Sequence, residues 1–295
     1  MGDPLAAGVR FALYASLGLL FGLAIFASHG LPSGCRPAWQ RSIGPLLFSL
    51  VLVASAASVA GLYVMASRML ALPLRSVDRE ALGMVLGLPG LGAAFRVRGA
   101  ALALLTVALF LAPTRAVLPV LASAVALATL AWFGHAGASE GWMGWLHLGS
   151  TVLHLLSAGL WAGALAAFLL LVARRRKGAR AMLAGALGRF HLTGSAVVAA
   201  LLATGLANAL LIVGVPPNPS ILGSPWAQLM ALKLAVFAPM LGLAALNRFL
   251  LVPALAAEAA HAPRQLGYSL RLEFGLALVI LGLVAWIGLL SPMEV

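Results

Sequence analysis

The chain has 295 residues, of which 63% are hydrophobic and only 9% are charged, and its mean hydropathy is +1.06. A water-soluble domain carries roughly 25% charged residues, so this chain cannot cover a water-facing surface and is predicted to be an integral membrane protein. The net charge of +12 is expected to lie in cytoplasmic loops that fix the topology, and no nucleic-acid partner is expected. The single cysteine, Cys35, excludes an intrachain disulfide and a cysteine cluster around a metal.

Eight apolar segments follow one another along the chain, and their Leu-, Ala- and Gly-rich composition favours helices over a β-barrel. The predicted fold is an all-α polytopic membrane bundle, forming one integral membrane domain over residues 1–295. The third span is short, so Arg96 and Arg98 at its start are expected to snorkel towards the interface. The predicted spans are 9–28, 45–67, 96–112, 115–134, 146–173, 190–214, 226–248 and 270–290.

The placement of lysine and arginine predicts the orientation, because cytoplasmic loops are enriched in both. The loop between spans five and six holds six of them, from Arg174 to Arg189, and is predicted to be cytoplasmic. With eight spans, both termini and the loop between spans four and five then lie on the outer side. The cytoplasmic side carries twelve of the nineteen Lys and Arg residues, although the basic loop between spans two and three falls outside.

Two decapeptides are alike, PGLGAAFRVR at 89–98 and SPWAQLMALK at 224–233. Each combines a turn, a small residue and a basic residue six positions later, at the start of a predicted span. Two four-helix halves related by duplication would explain the likeness, since transporter folds often arise this way. Chance similarity between the starts of membrane helices explains it equally well.

Three of the six histidines stand near the start of span five: His135, His147 and His154. His147 and His154 are seven residues apart, so they lie on nearly the same helix face, about 10.5 Å apart along the axis, and Trp161 continues that stripe. This separation suits successive metal stations, or a site completed from elsewhere, better than one shared ion. His135 is the natural third ligand, and the thioether of Met143 would favour copper. The alternative is an interfacial and a packed histidine with structural roles.

Other polar side chains lie within or near the ends of the spans. Lys233 and Asn208 either line a transport path or position helices through snorkelling and interhelical hydrogen bonding. On the predicted cytoplasmic side, His29, Cys35 and His191 could form a thiolate–imidazole exit site, but unrelated roles at loops and helix starts are the favoured interpretation.

A polar group is also expected where spans seven and eight meet the cytoplasm. Asn247, Arg248, Arg271 and Glu273 gather there, and an Arg–Glu pair is expected to clamp the two helices together. The chain has no Walker loop, no Ser–His–Asp layout, no HExxH and no Rossmann glycine fingerprint, so no enzyme activity is expected.

The sequence resembles the copper resistance protein D family of bacterial inner-membrane proteins. Family-like motifs are dense over 130–292, and segment 185–292 is the most similar. GHAGA at 134–138 and the histidine spacing of LHLGSTVLHLLSAGLW also resemble the family. The strongest motifs are ATGLAN (203–208), the lysine of LMALKLAVF (229–237), AALNRFLLVPAL (244–255) and the glutamate of RLEFGLALVILG (271–282).

The resemblance implies an eight-helix protein that moves copper, as Cu(I) or Cu(II), across the bacterial inner membrane, and the charge placement predicts that its termini lie in the periplasm. It implies a small periplasmic copper-binding protein as partner, and His135, His147 and His154 as ligands. Family members tend to carry an aspartate where this chain has Thr151, a change that weakens a Cu(II) site. The alternatives are a b-type haem redox protein with histidines from two helices and a partner subunit that carries no copper.

Overall fold

The computed structural model describes residues 3–111, 117–138, 141–173, 179–214, 221 and 223–291, with the side chains of 135, 138 and 179–181 left out. Within these ranges the chain is helical and has no strand, which confirms the predicted all-α class. A 3-10 turn, Thr129–Phe133, extends α5, and a π-helical segment, Asn247–Leu251, joins α9 to α10. The helices are α1 (Pro4–His29), α2 (Arg36–Met69), α3 (Arg79–Gly87), α4 (Leu91–Leu111), α5 (Val117–Ala128), α6 (His135–Ala138), α7 (Gly141–Ala173), α8 (Ala179–Val213), α9 (Pro225–Leu246), α10 (Val252–Ala256) and α11 (Ala262–Ile287).

Seven helices of the described ranges are long and apolar enough to cross a membrane, and an eighth, shorter apolar segment runs from Val117 to Phe133. These eight segments coincide with the eight predicted spans. Helix α3 was not predicted. It forms because the Asp78 side chain caps it, accepting a hydrogen bond from the Ala81 N–H, and it buries Ala81 and Val85.

Helix α1 is central, because it packs against α2, α5, α7 and α11. Its closest contact is with α7, where Gly18 and Gly22 meet Gly159 and Gly163. A Cβ on Gly22 would lie 2.1 Å from the Gly159 carbonyl oxygen, so no larger residue fits without movement. Each helix contributes a Gly-x-x-x-Gly pattern, which lets membrane helices approach closely. The glycine seam, as we call these four residues, fixes α1 against α7.

One cavity shows which helix ends share a face of the bundle. It is lined by the start of α1, the end of α2, the start of α4, the 3-10 turn after α5 and the residues just past α11. Helix α4 and the Val117–Phe133 segment therefore run in opposite directions, and the described chain starts and finishes on the same face, as eight crossings require. We call this the outer face, and its assignment to the periplasm stays a prediction. Four of the six basic residues that carry the charge argument, at 174–177, lie outside the described residues, while Arg180 and Arg189 belong to α8.

The prediction that Arg96 and Arg98 both snorkel is wrong for Arg98. Arg96 is exposed and donates a hydrogen bond to the Leu86 carbonyl, but Arg98 is fully buried between the rings of Phe95 and Phe133. The reason is that α4 begins at Leu91, more than a turn earlier than predicted. Arg98 therefore lies inside the helix, on the face that meets the rest of the bundle.

Candidate metal site

Polar side chains pair between α7 and α8 at two successive levels. The Nδ1 atom of His154 lies 2.9 Å from Oγ1 of Thr204, and Thr151 Oγ1 lies 3.4 Å from Asn208 Oδ1. Thr151 and His154 are three residues apart, and Thr204 and Asn208 four, so each pair shares one face of its helix. These four side chains, which we call the polar ladder, thus connect two helices in an otherwise apolar region. Sequence reasoning missed Thr204, although its position four residues before Asn208 was a usable signal.

The hydroxyl of Thr204 determines how His154 uses its ring. Its single proton goes to the Ala200 carbonyl oxygen, 2.5 Å away, so towards His154 the hydroxyl oxygen accepts. By this network Nδ1 carries the imidazole proton and donates it to Thr204, while Nε2 keeps its lone pair. A neutral imidazole held through its other nitrogen is the usual state of a metal-binding histidine.

Two further residues define the surroundings of His154. A Cβ at Gly205 would lie 3.6 Å from Cε1 of His154, so the ring sits directly against α8. Lys233, on α9, is half-buried and close enough to His154 for the two groups to interact electrostatically. The structure therefore brings together four of the residues singled out from the sequence: Thr151, His154, Asn208 and Lys233.

The other predicted ligands lie nearer the outer face. His147 is buried and makes polar or ring contacts of its own, two turns before His154 on α7. Met143 is exposed, among exposed tryptophans typical of a membrane interface. His135 begins α6, and its side chain lies outside the described part. Within that part no three His, Cys, Asp or Glu side chains form a cluster that could hold a metal ion. Two successive metal positions, at His147 and at His154, therefore stay a prediction.

A second polar centre lies two turns beyond His154. The indole Nε1 of Trp161 donates to Oε1 of Glu273 at 2.9 Å, and Asn247 Nδ2 donates to the other oxygen at 2.8 Å. Glu273 is only 2% exposed. Asn247 opens the π-helical segment, where the Val252 N–H reaches back five residues to its carbonyl. Such segments often occur at functional sites, and this one supplies the inward-facing amide.

The predicted Arg–Glu clamp is therefore wrong. Arg248 donates to the hydroxyl of Ser195, and the guanidinium of Arg271 lies over the Tyr268 ring at 5.6 Å. Residues two apart on a helix point in nearly opposite directions, so Arg271 cannot share the inward face of Glu273. Neutral donors from α7 and the π-helical segment hold the buried carboxylate instead.

A cavity of about 460 Å³ opens from this centre towards the inner face of the bundle. It lies between α7, α8, the π-helical segment and the first half of α11. Its polar lining comprises Trp161, His191, Ser195, Asn247, Arg248 and Glu273. His191 thus belongs to this cavity. His29 bonds its neighbour Ser28, at 2.5 Å, and Cys35 directly precedes α2; no hydrogen bond among the described side chains joins either residue to His191.

The fold and the polar ladder define a polytopic helical membrane protein with a histidine and other polar side chains inside its bundle. A family profile described as copper resistance protein D-like, N-terminal domain, matches residues 1–145, and one described as copper resistance protein D matches 184–287. Copper resistance protein D of Pseudomonas syringae pv. tomato is 39% identical over 311 aligned residues, covering 99% of this chain and 98% of that protein. The chain therefore belongs to the copper resistance protein D family.

A second relative supports the location. Inner membrane protein YebZ of Escherichia coli strain K12 is 32% identical over 163 residues, 55% of each chain. No solved structure matches the chain significantly. Together the relatives and the apolar helices identify a multi-pass protein of the inner membrane that takes part in copper resistance.

Proposed function

We propose that the protein transports copper across the inner membrane and receives it at histidines on the periplasmic side. The observation that carries the proposal is the bond from His154 to Thr204, which leaves the Nε2 lone pair of an intramembrane imidazole available to a metal. Membership of the family supports copper as the substrate.

The order of side chains along α7 supports a route. Copper would meet His147 near the outer face and His154 two turns deeper, about 10.5 Å further along the axis. Trp161 and its partner Glu273 come after another two turns and border the inner cavity. The described residues offer no carboxylate at the level of Thr151 and Asn208, which weakens a Cu(II) site and favours Cu(I).

Delivery and driving force complete the proposal. A small periplasmic copper-binding protein would deliver the ion at the start of α7, where Met143 is exposed. The sequence has no nucleotide-binding motif, so movement would follow the copper gradient, the membrane potential or a coupled ion.

Copper uptake into proteoliposomes, with Cu(I) and Cu(II) supplied separately, tests this function. We expect His147→Ala and His154→Ala each to reduce the initial rate at least about tenfold, the loss typical for a metal-site group. His261→Ala is the matched control, because His261 is exposed and precedes α11. If both α7 variants transport copper as fast as this control, the proposed route is wrong.

A further inference from the structure

A second cavity, at the outer face of the N-terminal half, has no part in the copper route. It measures about 410 Å³, and its lining includes three arginines, Arg10, Arg68 and Arg98, together with Tyr14. No aspartate or glutamate of the described residues lines it. Within the described part of the chain, none of the three arginines forms a salt bridge or a hydrogen bond with a carboxylate.

Arg98 is the innermost of the three and has unused donors. Its guanidinium carbon lies 4.9 Å from the centre of the Phe95 ring and 4.7 Å from that of Phe133, so the aromatic rings cover the guanidinium. All three nitrogens, Nε, Nη1 and Nη2, are buried and lack a hydrogen-bond partner among the described residues. A buried charge of this kind requires a partner of opposite sign.

Arg10 is held in position on the same cavity by the fold. Its Nη1 donates to the Phe133 carbonyl and its Nη2 to the Tyr14 hydroxyl, both at 3.1 Å, while Nε is buried without a partner. A Cβ at Gly288 would collide with this guanidinium, so the glycine makes room for it. Arg68, at the end of α2, is exposed and lines the mouth.

We propose that this cavity binds a phosphate group, supplied either by the headgroup of an anionic phospholipid or by free phosphate. Guanidinium groups match phosphate oxygens with paired, charge-assisted hydrogen bonds. Three of them, with no carboxylate among the described lining residues, select an anion and repel copper ions. The site is independent of the copper route, because none of its residues lies on that route.

Ligand-induced thermal stabilisation of the purified full-length protein in detergent tests the site. The probes are sodium phosphate and a short-chain phosphatidylglycerol, each titrated against sodium chloride at equal ionic strength. We expect stabilisation by phosphatidylglycerol alone if the source is lipid, and by both probes if free phosphate suffices. The apparent Kd should rise about tenfold or more in Arg68→Gln and Arg98→Gln.

Arg96→Gln is the matched control. Arg96 lies on α4, as Arg98 does, and carries the same charge, but it does not line the cavity. It should bind as the unchanged protein does. If Arg98→Gln does not fold, the apparent Kd of Arg68→Gln alone tests the proposal, because Arg68 is exposed. The proposal is overturned if neither probe stabilises the protein more than chloride, or if Arg68→Gln and Arg96→Gln respond alike.

Discussion

At the scale of single residues, Thr204 controls what His154 can do. A neutral histidine has two tautomers, and a hydrogen-bonding neighbour selects between them. Here a hydroxyl whose own proton is already committed to Ala200 O selects the Nδ1–H form. In the proposed copper site, the nitrogen that would bind the metal is thus prepared by a residue that does not touch it.

Thr204→Val removes this acceptor while keeping the side-chain shape. The buried Nδ1–H then loses its partner, so the ring turns and its tautomer is no longer fixed. We expect copper affinity, measured by competition with a chelator of known affinity, to fall by roughly 10–100-fold. Thr204→Ser keeps the hydroxyl and should retain most of the affinity; equal affinity for the Val and Ser variants would contradict the tautomer argument.

Lys233 is expected to act in the opposite direction. Lys233 lies close enough to His154 for its charge to act there, and a nearby positive charge would raise the energy of a bound copper ion. Lys233→Gln should therefore bind copper several-fold more tightly in the same competition assay. Lys233→Arg keeps the charge and should leave the affinity close to the original value. Weaker binding by the Gln variant would instead identify Lys233 as a residue that holds the site together.

At the scale of helices, the glycine seam is the strongest packing constraint. A Cβ on Gly163 would lie 2.3 Å from Cα of Gly22, so Gly163→Ala must push α7 away from α1. Overpacking of this kind costs about 1–3 kcal/mol, and a clear drop in the melting temperature of the purified protein is expected. Gly149→Ala, on the same helix with open space around it, should leave the melting temperature unchanged or raise it slightly.

The number of spans and the shared face of His147 and His154 could be predicted from apolar run lengths and helical spacing. The rotation of each helix about its axis could not. Lipid tails are as apolar as a protein core, so the buried face of a membrane helix is not marked by hydrophobicity. This is why Arg98 was placed at the interface and Glu273 was paired with an arginine. The Gly-x-x-x-Gly patterns of α1 and α7 were the readable clue to the rotation of these two helices.

The π-helical segment and α3 escaped prediction for local reasons. Pro253 cannot donate a backbone hydrogen bond, and the chain just before it adopts the wider π-helical turn, with Asn247 facing inward. Helix α3 depends on one capping residue, Asp78, in a segment that also carries other charged residues. Neither feature produces a long apolar run.

At the scale of the whole molecule, the start of α1 and the residues just past α11 line the same arginine-lined cavity. Both ends of the described chain therefore lie on the same side of the bundle. Helix α1 has 26 residues and is about 39 Å long, so it carries Cys35 to the opposite side. A membrane-impermeant maleimide should therefore label Cys35, the single cysteine, in inverted vesicles and not in intact spheroplasts.

Placing a cysteine at Asp3 in a Cys35→Ala background gives the control, because Asp3 precedes α1 on the outer face. This variant should be labelled in spheroplasts. The reverse result for both cysteines would invert the bundle and place His147 in the cytoplasm, which excludes the proposed direction of delivery.

The glycine seam also limits how the proposed transport could work. His147, His154 and Trp161 lie on one helix, so the helical rise fixes their spacing. The seam holds that helix backbone to backbone against α1, which packs in turn against α2, α5 and α11. An ion would therefore pass between coordinating side chains whose separation along α7 does not change. In the proposed transport, any displacement that opens and closes the way would have to come from helices outside the seam, such as α8 and α9, which carry Thr204, Asn208 and Lys233.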